Sequence, residues 1–351
     1  MQFADTAEQA ALREAVRAFA RRYATPEQVR AAMASTSGYD RSAWERLSSD
    51  LGLTALAVPE DHGGAGAGPG EVAVAVEELG RVLLPSPYLS TAVAALALAG
   101  LAAGETSQAA ERYLPGLADG SLIGALALHG DVTTSGGTVS GVARNVVDGA
   151  AAGLFLVRAG GQLLAVEVGD ASAEHVETLD QTRHQAVVRF DGAPAVPVGP
   201  AERVIAMHRV LLAAECVAAA EHCLAVTVDY LKTRRQFGRQ IGSFQALKHR
   251  AADLAVAVAS AHATARAAVW TAAADPAGLA ALAPLAALHC SRAFRQVAGE
   301  MIQLHGGMGV TWEHEAHLYF KRAKSTQLLL GPVSGLRAEI GREAGFLAAH
   351  R

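Results

Sequence analysis

Cysteine, aromatic residues and charge are all scarce in this chain. The three cysteines among 351 residues, Cys216, Cys223 and Cys290, lie in apolar helical stretches without CxxC or metal-ligand spacing. That excludes a disulfide framework and a thiolate metal site, and the expectation is buried free thiols in a reducing cytoplasm. Charged residues make up 18% with a net charge of −4 and no basic block, which argues against a nucleic-acid partner. No basic or apolar signal segment opens the sequence, MQFADTAEQ. The longest apolar run, Leu89 to Ala103, is too short and too rich in Ala and Gly to span a bilayer. The expectation is a soluble, cytoplasmic chain with no membrane segment. What is abundant is Ala, Leu and Val. Hydrophobic residues reach 51%, enough to fill a large core in about two or three helix-rich domains without staples.

Three stretches differ in period. Residues 1–120 read as a helical domain, with Leu12, Val16, Phe19 and Tyr23 at helical spacing and a second helix carrying Trp44, Leu47 and Leu51. The run Gly63 to Gly70 is a turn-forming segment and not a phosphate loop, because no strand precedes it and no Gly-Lys-Ser/Thr closes it. A helix follows over Val72 to Leu83, with Glu77 and Glu78 expected on a solvated face with one buried partner. Residues 121–198 read as a small β domain. Its strands are Thr138 to Val142, Leu154 to Arg158, Leu163 to Val168 and Ala186 to Phe190, with Gly160-Gly161 as a hairpin turn. Residues 199–351 return to helix. The pattern predicts Arg203 to Thr233, Phe244 to Ala272, a helix opened by Pro284, and Glu313 to Leu330: a four-helix bundle.

Two helix ends carry groups suited to a large anion. RRQFGRQIGSFQALKH, Arg234 to His249, sets an arginine at a helix end beside Gly238, read as the glycine that stops the helix. A guanidinium binds pyrophosphate bidentately, although an arginine there can equally serve the last carbonyls of its own helix. QLHGGMGVTWEHEAHLYFKRAK, Gln303 to Lys324, offers a neutral donor and acceptor at Gln303 and bare backbone at Gly306 and Gly307, which would also make a helix C-cap. His314 and His317 have a spacing that could bind metal, but no third ligand cluster accompanies them; the start of an amphipathic helix is the better reading, and no metal is expected.

Together these two motifs resemble the carboxy-terminal half of the acyl-CoA dehydrogenase family. The blocks LGL, VPE, GG and EELGR between Leu51 and Arg81 are similar to its amino-terminal domain. The resemblance implies an α domain, a small inserted β domain and a four-helix bundle. It also implies that Arg234, Phe237, Phe244, Gln245, Gln303, Leu304, His305, Gly306 and Gly307 bind FAD, whose flavin ring lies mainly in a neighbouring subunit.

The family's chemistry needs a glutamate to take the α-proton of an acyl-CoA thioester. Laying the family's RDAKIYQIYEGT on KRAKSTQLLLGP puts Leu330 at the glutamate and Pro332 at the threonine. The family's other base position, counted back from Phe237, falls on His208. His208 is a candidate base or a packed histidine, and Glu215, two turns along the same face, is expected to be structural. The family's TE…GSD segment is replaced by ALALHGDVTTSGG, Ala125 to Gly137, where Thr133 or Thr134 offers a small hydroxyl. The resemblance thus implies the degenerate subunit of a hetero-oligomeric acyl-CoA dehydrogenase, a heterodimer or α2β2, similar to those of actinobacterial steroid side-chain degradation. A homologous partner subunit would supply the glutamate, and an electron-transferring flavoprotein would accept the electrons. A self-sufficient homotetramer using His208, and a structural subunit without flavin, remain open at this point.

Overall fold

The computed structural model describes residues 4–102, 108–275 and 278–345. Contacts group the chain into two compact units: Ala7–Val76 with Pro85–His208, and Glu77–Leu84 with Arg209 onward and residues 4–6.

The first unit begins with α1 (Ala7–Tyr23), α2 (Pro26–Ala34) and α3 (Arg41–Ser49), continues through most of α4 (Pro69–Arg81), and adds α5 (Tyr88–Ala102) and α6 (Gln108–Ala118). A reciprocal capping box starts α2: the Gln28 N–H donates to the Thr25 hydroxyl at 3.4 Å, and the Thr25 N–H donates to the Gln28 side-chain carbonyl at 2.9 Å. Asp40 caps α3 by accepting from the Ser42 and Ala43 amides.

The β part follows as β1 (Gly124–Ala127), β2 (Gly130–Ser135), β3 (Thr138–Val147), β4 (Leu154–Ala159), β5 (Gln162–Glu167), β6 (Ala171–Val176), β7 (Gln185–Pro194) and β8 (Val196–Pro200). They form two four-stranded sheets, ordered β1-β4-β5-β8 and β2-β3-β7-β6. The β4–β5 hairpin turns at Gly160-Gly161, with Ala159 paired to Gln162, as the sequence suggests. The four strands read from the sequence are the four central ones. The four unforeseen strands are all edges, where one flank of the ladder is open and apolar alternation is not required. β2 is exposed or half-exposed along its length, and β8 carries Pro197 and Pro200, residues tolerated at an edge.

The second unit contains α7 from Arg209 (the whole helix is Ala201–Thr233), a two-residue ladder of β9 (Arg235–Gln236) and β10 (Arg239–Gln240), then α8 (Gln245–Ala274), α9 (Leu279–His305), α10 (Ala316–Leu329) and α11 (Val333–Glu343). Five helices replace the four read from the sequence, because Pro332 opens a further helix beyond α10. Helix α9 starts at Leu279, ahead of Pro284, since Leu279 and Ala283 are buried and hold the first turn by packing. Helix α7, not the run at Leu89, is the one described segment long and apolar enough to cross a membrane, and 72% of its apolar window is buried within the protein.

Glu77 and Glu78 are not solvated: they are 6% and 1% exposed. Arg81 lies 3.3 Å from Glu78 and 2.7 Å from Glu221, and the Tyr319 hydroxyl donates to the Arg81 carbonyl at 2.8 Å. Deeper still, Glu215 and Arg322 meet at 2.7 Å, which gives Glu215 the structural part expected of it. A Cβ on Gly80 would come within 2.4 Å of the Glu215 Cγ, so only glycine lets α4 lie this close.

Candidate dinucleotide site at two helix ends

Helix α7 ends at Thr233, and the Arg234 N–H still bonds the Tyr230 carbonyl at 2.8 Å. Gly238 does not stop this helix. It is the second residue of the β9–β10 turn, where Phe237 and Gly238 have φ of +51° and +77°. That is the backbone of a primed hairpin turn, with a bulky residue where Gly or Asn is usual. Phe237 is also 91% exposed, so its placement is unfavourable both for the backbone and for the ring. The Arg239 guanidinium sits 4.0 Å from the centre of the Phe244 ring, and Phe237 meets the same ring edge-on at 6.2 Å. Phe244 precedes the first turn of α8, and no side chain caps that turn. The start of this 30-residue helix therefore presents amide donors and the positive end of the helix dipole.

The second motif closes α9. Gln303 is exposed, whereas Leu304 and His305 turn inward and are buried, so these two can face a ligand only through their backbone. Gly306 has φ +60° and ψ −138°, a conformation a side chain would disfavour. A Cβ built at Gly306 or Gly307 meets no heavy atom within 4 Å, leaving an open backbone ledge.

Two contacts join the motifs. Tyr230, one turn before Arg234, stacks on His305 with ring centres 4.3 Å apart. Arg250 of α8 pairs with Glu300 of α9 at 2.6 Å. Arg234, Phe237, Gln245, Gln303, Gly306 and Gly307 are exposed there, and Phe244 is half-buried. An exposed guanidinium, an uncapped helix start and a side-chain-free ledge match the donors a pyrophosphate with an attached nucleoside requires. The residues present thus fit the adenosine diphosphate part of FAD.

Sequence reasoning named His305 and His314 but not the contacts they make beneath the ledge. His305 donates from Nδ1 to the Met301 carbonyl at 2.7 Å and meets the His314 ring at a tilt, ring centres 4.4 Å apart. His314 accepts the Ala316 N–H at Nδ1, 3.1 Å away, which is why α10 starts at Ala316 and not at Glu313. His222 donates to Glu315 at 2.9 Å and stacks on Tyr319. Burial of His314, reinforced by His305, holds its pKa below the ordinary histidine value. Burial works to raise the pKa of Glu315, but the hydrogen bond and charge of His222, aided by His314 and His305, bring it below the usual carboxylate range. His317 stacks on Trp312. The available sequence signal was the recurrence of imidazoles on both sides of the glycine pair; nothing in it tied them to Tyr230.

The expected positions of chemistry are different in kind. Leu330 is 6% exposed and ends α10, its N–H bonded to the Thr326 carbonyl at 3.0 Å; an alkyl side chain there takes no proton. His208 is half-buried on α7 and belongs to the first unit. Thr133 and Thr134 lie on β2, and their hydroxyls donate to the Ser140 and Thr138 carbonyls within the β2–β3 hairpin. The small hydroxyl that the sequence offers there is thus engaged within a strand pair.

Residues 6–121 match the acyl-CoA dehydrogenase N-terminal domain, and residues 200–345 match the acyl-CoA dehydrogenase C-terminal domain. The chain belongs to the acyl-CoA dehydrogenase family. This is a family of oxidoreductases acting on CH–CH bonds. Among its acyl-CoA dehydrogenase relatives, IpdE2 of Mycobacterium tuberculosis (strain ATCC 25618 / H37Rv) is 46% identical over 328 residues, 93% of this chain and 94% of that protein. The ChsE4–ChsE5 complex from Mycobacterium tuberculosis contains a similar chain: TM-score 0.91, 29% identity, covering 99% of this chain and 100% of that one. A variant of the Tcur3481–Tcur3483 steroid ACAD is similar at TM-score 0.90 and 30% identity, covering 97% and 98%.

Proposed function

We propose that this chain is a partner-dependent subunit of a heteromeric, FAD-dependent acyl-CoA dehydrogenase that introduces a double bond into an acyl-CoA thioester. The observation that carries the reading is a contrast within one unit: an open, donor-rich ledge at the ends of α7 and α9, and a buried leucine at the end of α10. FAD, when bound, supplies a hydride acceptor for the β-carbon of the thioester. The Arg234 guanidinium binds its pyrophosphate, aided by the first turn of α8 at Phe244 and Gln245. Gln303 and the backbone of Leu304 to Gly307 carry the adenosine, and Phe237 reaches outward beside them. A homologous partner subunit, as a heterodimer or α2β2, provides the flavin-ring contacts and the glutamate that takes the α-proton. Similarity to the steroid ACAD supports a bulky steroid side-chain acyl-CoA as substrate; an electron-transferring flavoprotein as acceptor and a cytoplasmic location belong to the same reading. The three-part division at residues 120 and 198 belongs to the same reading.

Flavin stoichiometry tests it. The chain purified alone is expected to carry no FAD, and the co-expressed pair one FAD per two different chains, lost on Arg234→Ala. A yellow homo-oligomer with one FAD per chain, losing turnover on His208→Ala, would refute the proposal in favour of a self-sufficient enzyme. A turnover-competent pair whose FAD content ignores Arg234→Ala would leave the chain a structural subunit.

A further inference from the structure

The segment joining α9 to α10 has the glycine ledge at one end and His314 at the other. Between them Gly309 lies against the Ile302 carbonyl, where a Cβ would come within 2.6 Å, and the Thr311 hydroxyl donates to the Met308 carbonyl at 3.0 Å. These contacts are local turns. Two links join the segment to α7: the column Tyr230–His305–His314, with successive ring centres 4.3 and 4.4 Å apart, and the His222–Glu315 hydrogen bond; the Ala316 N–H bond to His314 Nδ1 then ties the start of α10 to that column. An amide N–H can only donate, so His314 Nδ1 must keep its lone pair, and the ring that caps α10 is the neutral tautomer. His305 is likewise defined: a carbonyl can only accept, so its Nδ1 carries the hydrogen.

We infer that His314 is the positioning residue of the ledge, holding the Gly306–Glu315 segment in place only while its imidazole is neutral, so that mild acid releases the ledge and whatever lies on it. That the ligand is the adenosine part of FAD rests on the function proposed above.

Protonation has two consequences. Nδ1 changes from acceptor to donor and faces the Ala316 N–H, which removes the cap from α10. A cation also appears against the His305 ring, which is 3% exposed. The surrounding groups do not offset this. From α7 the cluster receives His222, Cys223 and Tyr230; from α9, His305; from α10 and the residues before it, Glu315, His317 and Tyr319, with Arg81 and Arg322 beyond Tyr319. Glu313 precedes His314 in the chain, and Lys321 lies over Trp312. The carboxylate that attracts a proton to His314 is Glu315, but it already accepts from His222. Burial and the two other histidines outweigh its attraction for a proton on His314.

Hydrogen–deuterium exchange of the peptide covering residues 303–316 tests the inference in the full chain. His314→Asn keeps a side-chain acceptor at the cap and does not titrate. Compared at the same pH, wild type and His314→Asn are expected to exchange alike at pH 8. At pH 5.5 wild type is expected to exchange measurably faster than His314→Asn. His314→Ala is expected to exchange fast at both pH values. Equal exchange of wild type and His314→Asn at pH 5.5, or full protection of His314→Ala, would overturn the inference. Flavin release from the co-expressed pair is the second readout. Wild type is expected to lose FAD between pH 8 and pH 5.5 and the asparagine variant to keep it; equal retention by both overturns the effect on the ligand. If no flavin is present at pH 8 while exchange still responds to His314, the dinucleotide reading fails and the positioning role stands.

Discussion

Glu215 and Arg322 have side chains 8% and 3% exposed, and meet at 2.7 Å. Forming such a pair removes two charges from water, so its net contribution is small, but losing one partner leaves an ion stranded in the interior. Glu215→Gln is therefore expected to destabilise the protein by about 3–5 kcal/mol, whereas replacing both residues with methionine recovers most of that loss. Urea unfolding of the single and double variants measures this, and an additive double variant would contradict it. Residue type alone did not separate this pair from a surface one. Glu215 was expected to be structural from the family resemblance, but Arg322 was not foreseen as its partner, and of Glu77 and Glu78 only one was expected to be buried where both are. A charge in a sequence carries no record of the partner that will desolvate with it.

Among the elements, capping chemistry and ladder position account for most of what was and was not readable. The α2 start is local: Thr25, Pro26 and Gln28 satisfy the first-turn amides without tertiary help. Thr25→Ala is expected to cost about 1 kcal/mol, seen as a lower urea midpoint with unchanged slope. Strands β3, β4, β5 and β7 were visible because their β-branched and aliphatic residues recur at strand spacing, continuously buried in much of β4 and intermittently in β3. The edges β1, β2, β6 and β8 left no comparable trace, since one neighbour is enough to recruit an edge strand whatever its pattern. Two boundaries also shifted: packing at Leu279 carried α9 ahead of Pro284, and a local bond from the Ala316 N–H to His314 accompanies the start of α10 at Ala316.

For the whole molecule, histidine burial sets a common pH dependence. Burial lowers the pKa of His184 in the first unit, where the His184 ring also faces Met33 and His175, and lowers that of His314 in the second. A histidine in the unfolded chain titrates near about 6.5. With folded values below that, the unfolded state binds more protons through this window, so stability is complete above about pH 6.5 and falls as pH drops through the lowered values. Glu315, whose folded pKa is lowered from 4.5, adds a further loss only at more acid pH. Thermal midpoints are expected to fall between pH 7.5 and 5.5, and less steeply in a variant carrying both His184→Gln and His314→Asn. An unchanged slope in that variant would show that neither imidazole governs the acid limb.

The sequence by itself determined the family, the helix-rich architecture with a small β part, the two motifs that form the ledge, and the lack of a carboxylate at Leu330. These follow from local composition and from residues whose spacing along one or two helices is fixed by the helix itself. Tertiary structure alone decided which charges are buried, which segments become edge strands, and how Tyr230, His305 and His314 come to stand in one column beneath Gly306 and Gly307. Each of those outcomes depends on residues far apart in the chain competing to exclude water from the same space, and no local pattern records who the winning neighbour will be.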